Sequence, residues 1–112
     1  MSNLSYSDFL KVDIRVGTVL RAEENNDLKK PSIILEIDFG QQIGIKKSSA
    51  QIKSNYKVQD LIQKQVAAVI NFPTKQIGKV ISEVLVLGFP DNQNEPILVT
   101  PDFKIKNGGR LY

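Results

Sequence analysis

A glycine at position 17 interrupts the best strand pattern in the chain, and it constrains the fold more than any other single residue. Residues 12–22 read Val-Asp-Ile-Arg-Val-Gly-Thr-Val-Leu-Arg-Ala, alternating apolar and polar up to Gly17 and largely β-branched just after it. That period of two is the signature of a half-buried strand. A glycine inside such a run marks a bulge or sharp bend, the device by which one long strand serves both sides of a small barrel.

The rest of the chain supplies strands for such a barrel. Residues 23–31 form a polar connection, and residues 33–39 (Ile-Ile-Leu-Glu-Ile-Asp-Phe) a second strand. A short turn at Gly40-Gln41-Gln42 leads to a third strand over residues 43–47, its hairpin partner. Val58, Leu61, Ile62 and Gln65 fall at i, i+3, i+4 and i+7, a helical spacing of about two turns. Residues 65–70 form an almost continuous apolar run, the pattern of a central strand, followed by a loop over residues 73–78. Residues 80–87 make the fifth strand, Gly88-Phe89-Pro90-Asp91 a turn, and Ile97-Leu98-Val99 a weaker strand. The fold class expected is all-β: a five-stranded OB-fold barrel with short helices and terminal extensions. An SH3-like barrel is the alternative, and the helix between strands three and four decides against it. A chain of 112 residues forms one domain on this reading, residues 1–112, around one modest core.

Composition bounds the chemistry. The sequence has no Cys and no His, which excludes disulfides, thiolate or imidazole metal ligation, Cys or Ser–His nucleophiles and imidazole acid–base catalysis together. No metal site, cofactor or catalytic residue is expected. Residues 1–9 carry neither a basic nor an apolar leader region, and no run approaches the ~20 apolar residues of a membrane span. A soluble cytoplasmic protein without membrane insertion is the expectation. The net charge of +3 hides an asymmetry: residues 1–40 sum to −2, residues 41–80 to +6 and residues 81–112 to −1. Lysine excess confined to one stretch favours a polyanionic partner, because each neutralised phosphate releases counterions.

Four separated motifs then resemble a known family. They are Lys11-Val12-Asp13-Ile14-Arg15-Val16-Gly17; Ile43-Gly44-Ile45-Lys46-Lys47-Ser48-Ser49-Ala50-Gln51-Ile52; Asn71-Phe72-Pro73 with Gln76-Ile77-Gly78; and Ser82-Glu83-Val84-Leu85-Val86-Leu87-Gly88-Phe89-Pro90-Asp91. In this order they resemble the CsaA-type export-related chaperones, part of the wider tRNA-binding-domain family. That family also includes the C-terminal appendage of methionyl-tRNA synthetases and the EMAP-like cytokine precursors. The resemblance covers residues 9–112. It implies a non-catalytic OB-fold homodimer with tRNA-binding capacity that binds unfolded or precursor polypeptides, with export machinery as a further partner. Synthetase-attached relatives usually carry Gly-Met after Ser-Glu, whereas Val84-Leu85 follows Ser82-Glu83 here, which favours the CsaA branch. The alternative is a free-standing tRNA-docking domain.

Lys46 and Lys47 stand at a strand end beside small residues, where ammonium groups and backbone amides meet phosphate, and Lys53, Lys75 and Lys79 fall in flanking loops. Asn71 and Ser82 match polar positions of the family, where an amide or hydroxyl meets a base edge or sugar; Glu83 is read instead as part of a barrel hydrogen-bond network. These lysines with Asn71 and Ser82 are the candidate RNA-binding set. Phe89 and Pro90, with nearby Val86 and Leu87, are the candidate polypeptide-binding set, an exposed apolar patch. Lys104 and Lys106 lie outside the basic segment, and charge counting gives them no role.

Overall fold

The structure, a computed structural model, describes residues 2–27 and 29–112. Met1, at the start read for a leader, and Leu28, in the polar connection, lie outside the described residues. The element order is α1 (Tyr6–Phe9), β1 (Ile14–Asn25), β2 (Ser32–Asp38), β3 (Ile45–Ala50), α2 (Val58–Leu61), β4 (Gln65–Val69), β5 (Lys75–Ile77), β6 (Val80–Ser82), β7 (Leu85–Val86), β8 (Gly88–Pro90) and β9 (Pro96–Leu98). Five strands pair antiparallel in the order β3-β2-β1-β4-β7 and curl into a half-barrel, and the pairs β5-β6 and β8-β9 are separate hairpins. This is the expected OB-fold-like architecture.

β1 makes the barrel possible. Its first half pairs with β4, from Ile14↔Val69 to Thr18↔Gln65, and its second half with β2, from Thr18↔Asp38 to Asn25↔Ser32. The strand changes partners at Thr18, one residue past Gly17. A Cβ at Gly17 would lie 2.6 Å from Ile37 Cγ2, 2.8 Å from Phe39 Cδ1 and 2.9 Å from the Asp38 carbonyl oxygen. Glycine is required there because β2 crosses almost in contact. The bulge itself falls three residues later, where the register shifts between Val19 and Arg21.

Alternation on β2 puts Ile33, Leu35 and Ile37 into the core with Val19, Phe39, Val66 and Ala68, and Leu61 of α2 closes one end. The outward positions of β2 are Ile34, Glu36 and Asp38. The C-terminal tail completes the edge of β1: Gly108 N–H donates to Val16 O at 2.8 Å, Val16 N–H to Gly109 O at 3.1 Å, and Leu111 N–H to Ile14 O at 2.9 Å. Just before this contact the tail is held by the buried Gln65. Its Nε2 donates to Ile105 O at 2.6 Å and to Asn107 Oδ1 at 3.1 Å, and its Oε1 accepts from Ile105 N–H at 3.0 Å. Thr18 Oγ1 donates to the same Asn107 oxygen at 2.7 Å.

Several elements differ from the sequence reading. Helix α1 is a single turn, too short for apolar periodicity to mark it; Ser5 Oγ accepts from Asp8 N–H at 3.1 Å and starts it. β1 runs on to Asn25, into what reads as a polar connection, because Glu23 and Glu24 alternate with partners on β2. β3 begins two residues late: Gly40 and Gly44 have φ of +91° and +87°, and Gly44 N–H donates to Gly40 O at 2.7 Å, so the turn consumes Ile43 and Gly44. Gln65 opens β4 instead of extending the helix. The stretch 73–78 is not all loop, and residues 80–87 are not one strand. β5 and β6 fold on each other as a hairpin, with Lys75↔Ser82 and Ile77↔Val80 in register, before β7 returns to β4. Gly88 to Pro90 is likewise strand; the turn sits further on, where Asp91 Oδ1 accepts from Gln93 and Glu95 N–H at 2.8 and 2.9 Å.

Candidate nucleic-acid and polypeptide interface

The outward face of β1, β2 and β3 is set by register. Arg21, Glu36 and Lys47 form one row across it, and Glu23, Ile34 and Ser49 the next. Lys47 therefore projects outward. Lys46 pairs with the core residue Ile37, so strand alternation sends the two neighbouring lysines to opposite faces. A groove of about 520 Å³ lies between this face and the β5-β6 hairpin, and it brings Lys47 and Lys79 together. It also holds Glu23, Glu36 and Glu83, with Ile34, Val80 and Ile81 as its apolar floor. Arg21 Nε stands 3.6 Å from Glu36 Oε2. Lys75 is on the same hairpin, opposite Ser82.

The remaining polar candidates have internal partners. Ser82 Oγ accepts from Ser49 N–H at 3.0 Å, while Glu83 N–H donates to Lys47 O at 2.8 Å and Glu83 Oε1 accepts from Lys47 N–H at 3.0 Å. These two side chains tie the free edge of β3 to the hairpin, which is the network read for Glu83. Asn71 accepts from Asp13 N–H at 3.0 Å and donates to Lys11 O at 2.7 Å, pinning the segment that leads into β1. Lys53 is half-buried, donating to Asn26 Oδ1 at 3.0 Å with Glu24 at 3.6 Å. Lys46, Lys47, Lys75 and Lys79 have no carboxylate within ion-pair distance among the described residues.

The apolar candidates divide between two places. Phe89, 69% exposed, faces Ile97, 42% exposed, across the β8-β9 hairpin, with Pro90 beside them. Val86 lines a different cavity of about 400 Å³ with Ile77, Leu85, Pro96 and Leu98. Leu87 is half-buried, and its N–H donates to Ala67 O at 3.0 Å. Leu87 N–H thus points at β4 and Val86, one residue back and opposite Ala68, turns its own N–H and C=O away from it, while Val99 O accepts from Ala67 N–H and Val99 N–H donates to Leu87 O, at 3.0 Å each. Asp91 sets the hairpin: the Asn55 amide, 2.9 Å from its Oδ2, and then the Glu95 amide hold its carboxyl below the ordinary value of 3.8. Among the described residues no three acidic side chains cluster as a metal site, and no helix is long and apolar enough to cross a membrane.

Comparison with known proteins gives this arrangement a family. The profile described as "Putative tRNA binding domain" matches residues 14–110, from the start of β1 to the tail that covers its edge. The chain belongs to this family. Within the tRNA-binding-domain family, the crystal structure of chaperone CsaA from Bacillus anthracis str. Ames superposes with a TM-score of 0.92 at 43% identity, covering 99% of this chain and 100% of that one. The CsaA chaperone protein from Picrophilus torridus gives 0.90 at 45% identity, covering 98% and 100%. Methionine–tRNA ligase of Bacteroides fragilis is 27% identical over 110 residues, which are 98% of this chain and 16% of the ligase. The chain thus spans about a sixth of the curated relatives it matches. The resemblance carried by the four motifs is borne out.

Proposed function

We propose that the chain is a non-catalytic binding module of the CsaA type, with a chaperone-like role: it binds tRNA on the outer face of β1-β2-β3 and holds unfolded or precursor polypeptides at the β7-β8 edge. The end-to-end likeness to two CsaA chaperones in sequence and fold carries this reading. Lys47 and Lys79, gathered in one groove from distant parts of the chain, and Lys75 on the same hairpin supply cations for phosphate. Lys46 reaches RNA only from the face opposite Lys47, Lys53 after exchanging Glu24 for phosphate, and Asn71 and Ser82 by sharing groups already hydrogen-bonded. The outward backbone of Val86, the adjacent cavity and exposed Phe89 and Pro90 suit an extended peptide, which offers backbone donors and acceptors to a strand edge and side chains to a pocket. Leu87 supports that edge from behind.

The module acts as a homodimer in this proposal, in the cytoplasm, where tRNA and precursors for the export machinery are both present. Leu4, Tyr6, Leu111 and Tyr112, exposed near the two ends of the chain, offer the apolar surface a second copy covers. Light scattering at micromolar concentration is expected to give twice the 12.5 kDa chain mass, and a monomer would remove the dimer. The match of 98% of the chain to a segment of methionine–tRNA ligase favours a second reading, a tRNA-docking domain without polypeptide clients. Pull-down from a cytoplasmic lysate with and without ribonuclease separates the two. Polypeptides retained after ribonuclease support the chaperone reading, and their complete loss supports docking.

A further inference from the structure

The groove read as the RNA face is not the most cationic part of that face. Lys47 and Lys79 share it with Glu23, Glu36 and Glu83, one of which is matched by Arg21. At the other end of the same sheet face, beyond Glu36 and about 7 Å along β2 at Asp38, the C-terminal segment lies over Thr18 and Gln65 and forms a second concavity of about 330 Å³. Lys104 and Lys106 line it, with Asp38 as the one acid. A third, of about 270 Å³, adjoins it and brings Lys64 beside Lys104 and Phe103. None of these three lysines has a carboxylate within ion-pair distance among the described residues. Asp38 is itself engaged, its Oδ1 accepting from Gly40 N–H at 2.9 Å. Asp102 is an exposed chain neighbour of Phe103.

Phe103 is 77% exposed, a ring presented to solvent in the concavity that Lys64 and Lys104 also line. Free lysines beside a flat aromatic are the combination that takes phosphate and a stacked base together. The segment that carries Phe103, Lys104 and Lys106 is held in place, since the two hydrogen bonds between Gln65 and the Ile105 backbone fix the residue between Lys104 and Lys106. Sequence position separates Lys64 from Lys104 and Lys106; the fold gathers them along two adjoining concavities that share Lys104.

We infer that Lys64, Lys104 and Lys106 form the main phosphate-binding end of the RNA track and that Phe103 stacks on an unpaired base there. This rests on the tRNA-binding reading above. The partner is structured RNA with an accessible single-stranded end or loop, because a duplex offers phosphate but no free ring face.

The test is a filter-binding titration of bulk tRNA at several salt concentrations, for wild type and for Lys64→Ala, Lys104→Ala, Lys106→Ala, their triple combination and Phe103→Ala. Lys30→Ala is the control, since Lys30 lies 4.0 Å from Glu95 at the polypeptide cavity. Each of the three lysines removed is expected to lower the magnitude of the log–log slope by about 0.7–0.9, and Lys30→Ala to leave it unchanged. Phe103→Ala is expected to weaken binding about 5-fold or more at unchanged slope. A triple variant that binds tRNA with wild-type affinity and slope overturns the inference while leaving the RNA reading intact. Wild type that fails to retain tRNA removes that reading and this one with it. Vesicles containing anionic phospholipid that bind wild type but not the triple variant, with tRNA affinity unaltered, would assign the patch to a membrane surface and equally overturn the inference.

Discussion

Replacing Gln65 by Leu probes the link between the barrel and its basic tail without touching a charge. The side chain is 8% exposed and similar in size to leucine, so the loss is chiefly polar. It removes the pair of hydrogen bonds to the Ile105 backbone, 2.6 and 3.0 Å, and the bond to Asn107 Oδ1. At roughly 1 kcal/mol net for each hydrogen bond, losing the Ile105 pair costs about 2 kcal/mol of tail docking. Water reaches Ile105, an exchange already contained in the net figure, and Thr18 Oγ1 keeps Asn107. A 2 kcal/mol change corresponds to about 30-fold in the open population of the tail. Amide exchange at Ile105 is therefore expected to accelerate about 30-fold, with far less change at Val66 or Leu35. tRNA affinity is expected to fall while its salt slope stays near the wild-type value, because every lysine remains. Unchanged protection at Ile105 in a folded Gln65→Leu protein would refute the reasoning and leave the tail held by Gly108, Gly109 and Leu111 alone.

Gly17→Ala forces a methyl group to within 3 Å of Ile37, Phe39 and the Asp38 carbonyl, and it is expected to destabilise the domain by about 1–3 kcal/mol in urea unfolding; an unshifted midpoint would contradict the crossing of β2 over β1. The Asp91 carboxyl is held below its ordinary value, so what it adds to the β8-β9 turn is present above pH 3.8 and lost as pH falls through the lowered value; Asp91→Asn should remove this acid-dependent step from the Gln93 and Glu95 amide signals, and an identical acid profile would show that the step lies elsewhere. Phe89→Ser should weaken binding of an extended peptide, with little salt dependence, and spare tRNA; equal loss of both ligands would mean that the hairpin change unfolds the domain.

Local periodicity carried the barrel. The alternation of Ile33, Leu35 and Ile37 and the glycine inside β1 are each visible within a dozen residues; the alternation keeps its meaning in the fold, while Gly17 serves the close approach of β2 and the bulge falls at Leu20. What was illegible depends on contacts distant in sequence. Residues 80–87 look like one strand, yet Ser82 and Glu83 spend their side chains on the β3 backbone and split the run in two. Gln65 fits a helical spacing equally well, and only the tail 40 residues later reveals its purpose. The lysines suffered most from linear counting. Lys46 and Lys47 are adjacent in sequence and face opposite ways, whereas Lys64 and Lys104 are distant in sequence and line one concavity. Charge summed by segment locates basic residues along a chain, and strand alternation with tertiary packing decides which share a surface.

The central claim is that tRNA and polypeptide occupy different sides of one small barrel. Ultraviolet cross-linking of bound tRNA, followed by mass spectrometry of the attached peptides, addresses it in a single measurement. Attachment is expected at Lys47, at Lys79 and above all between Phe103 and Lys106, with Phe89, Pro90 and Ile97 unmodified. Cross-links concentrated on the β8-β9 hairpin, or tRNA displaced from the protein by an extended peptide, would contradict it.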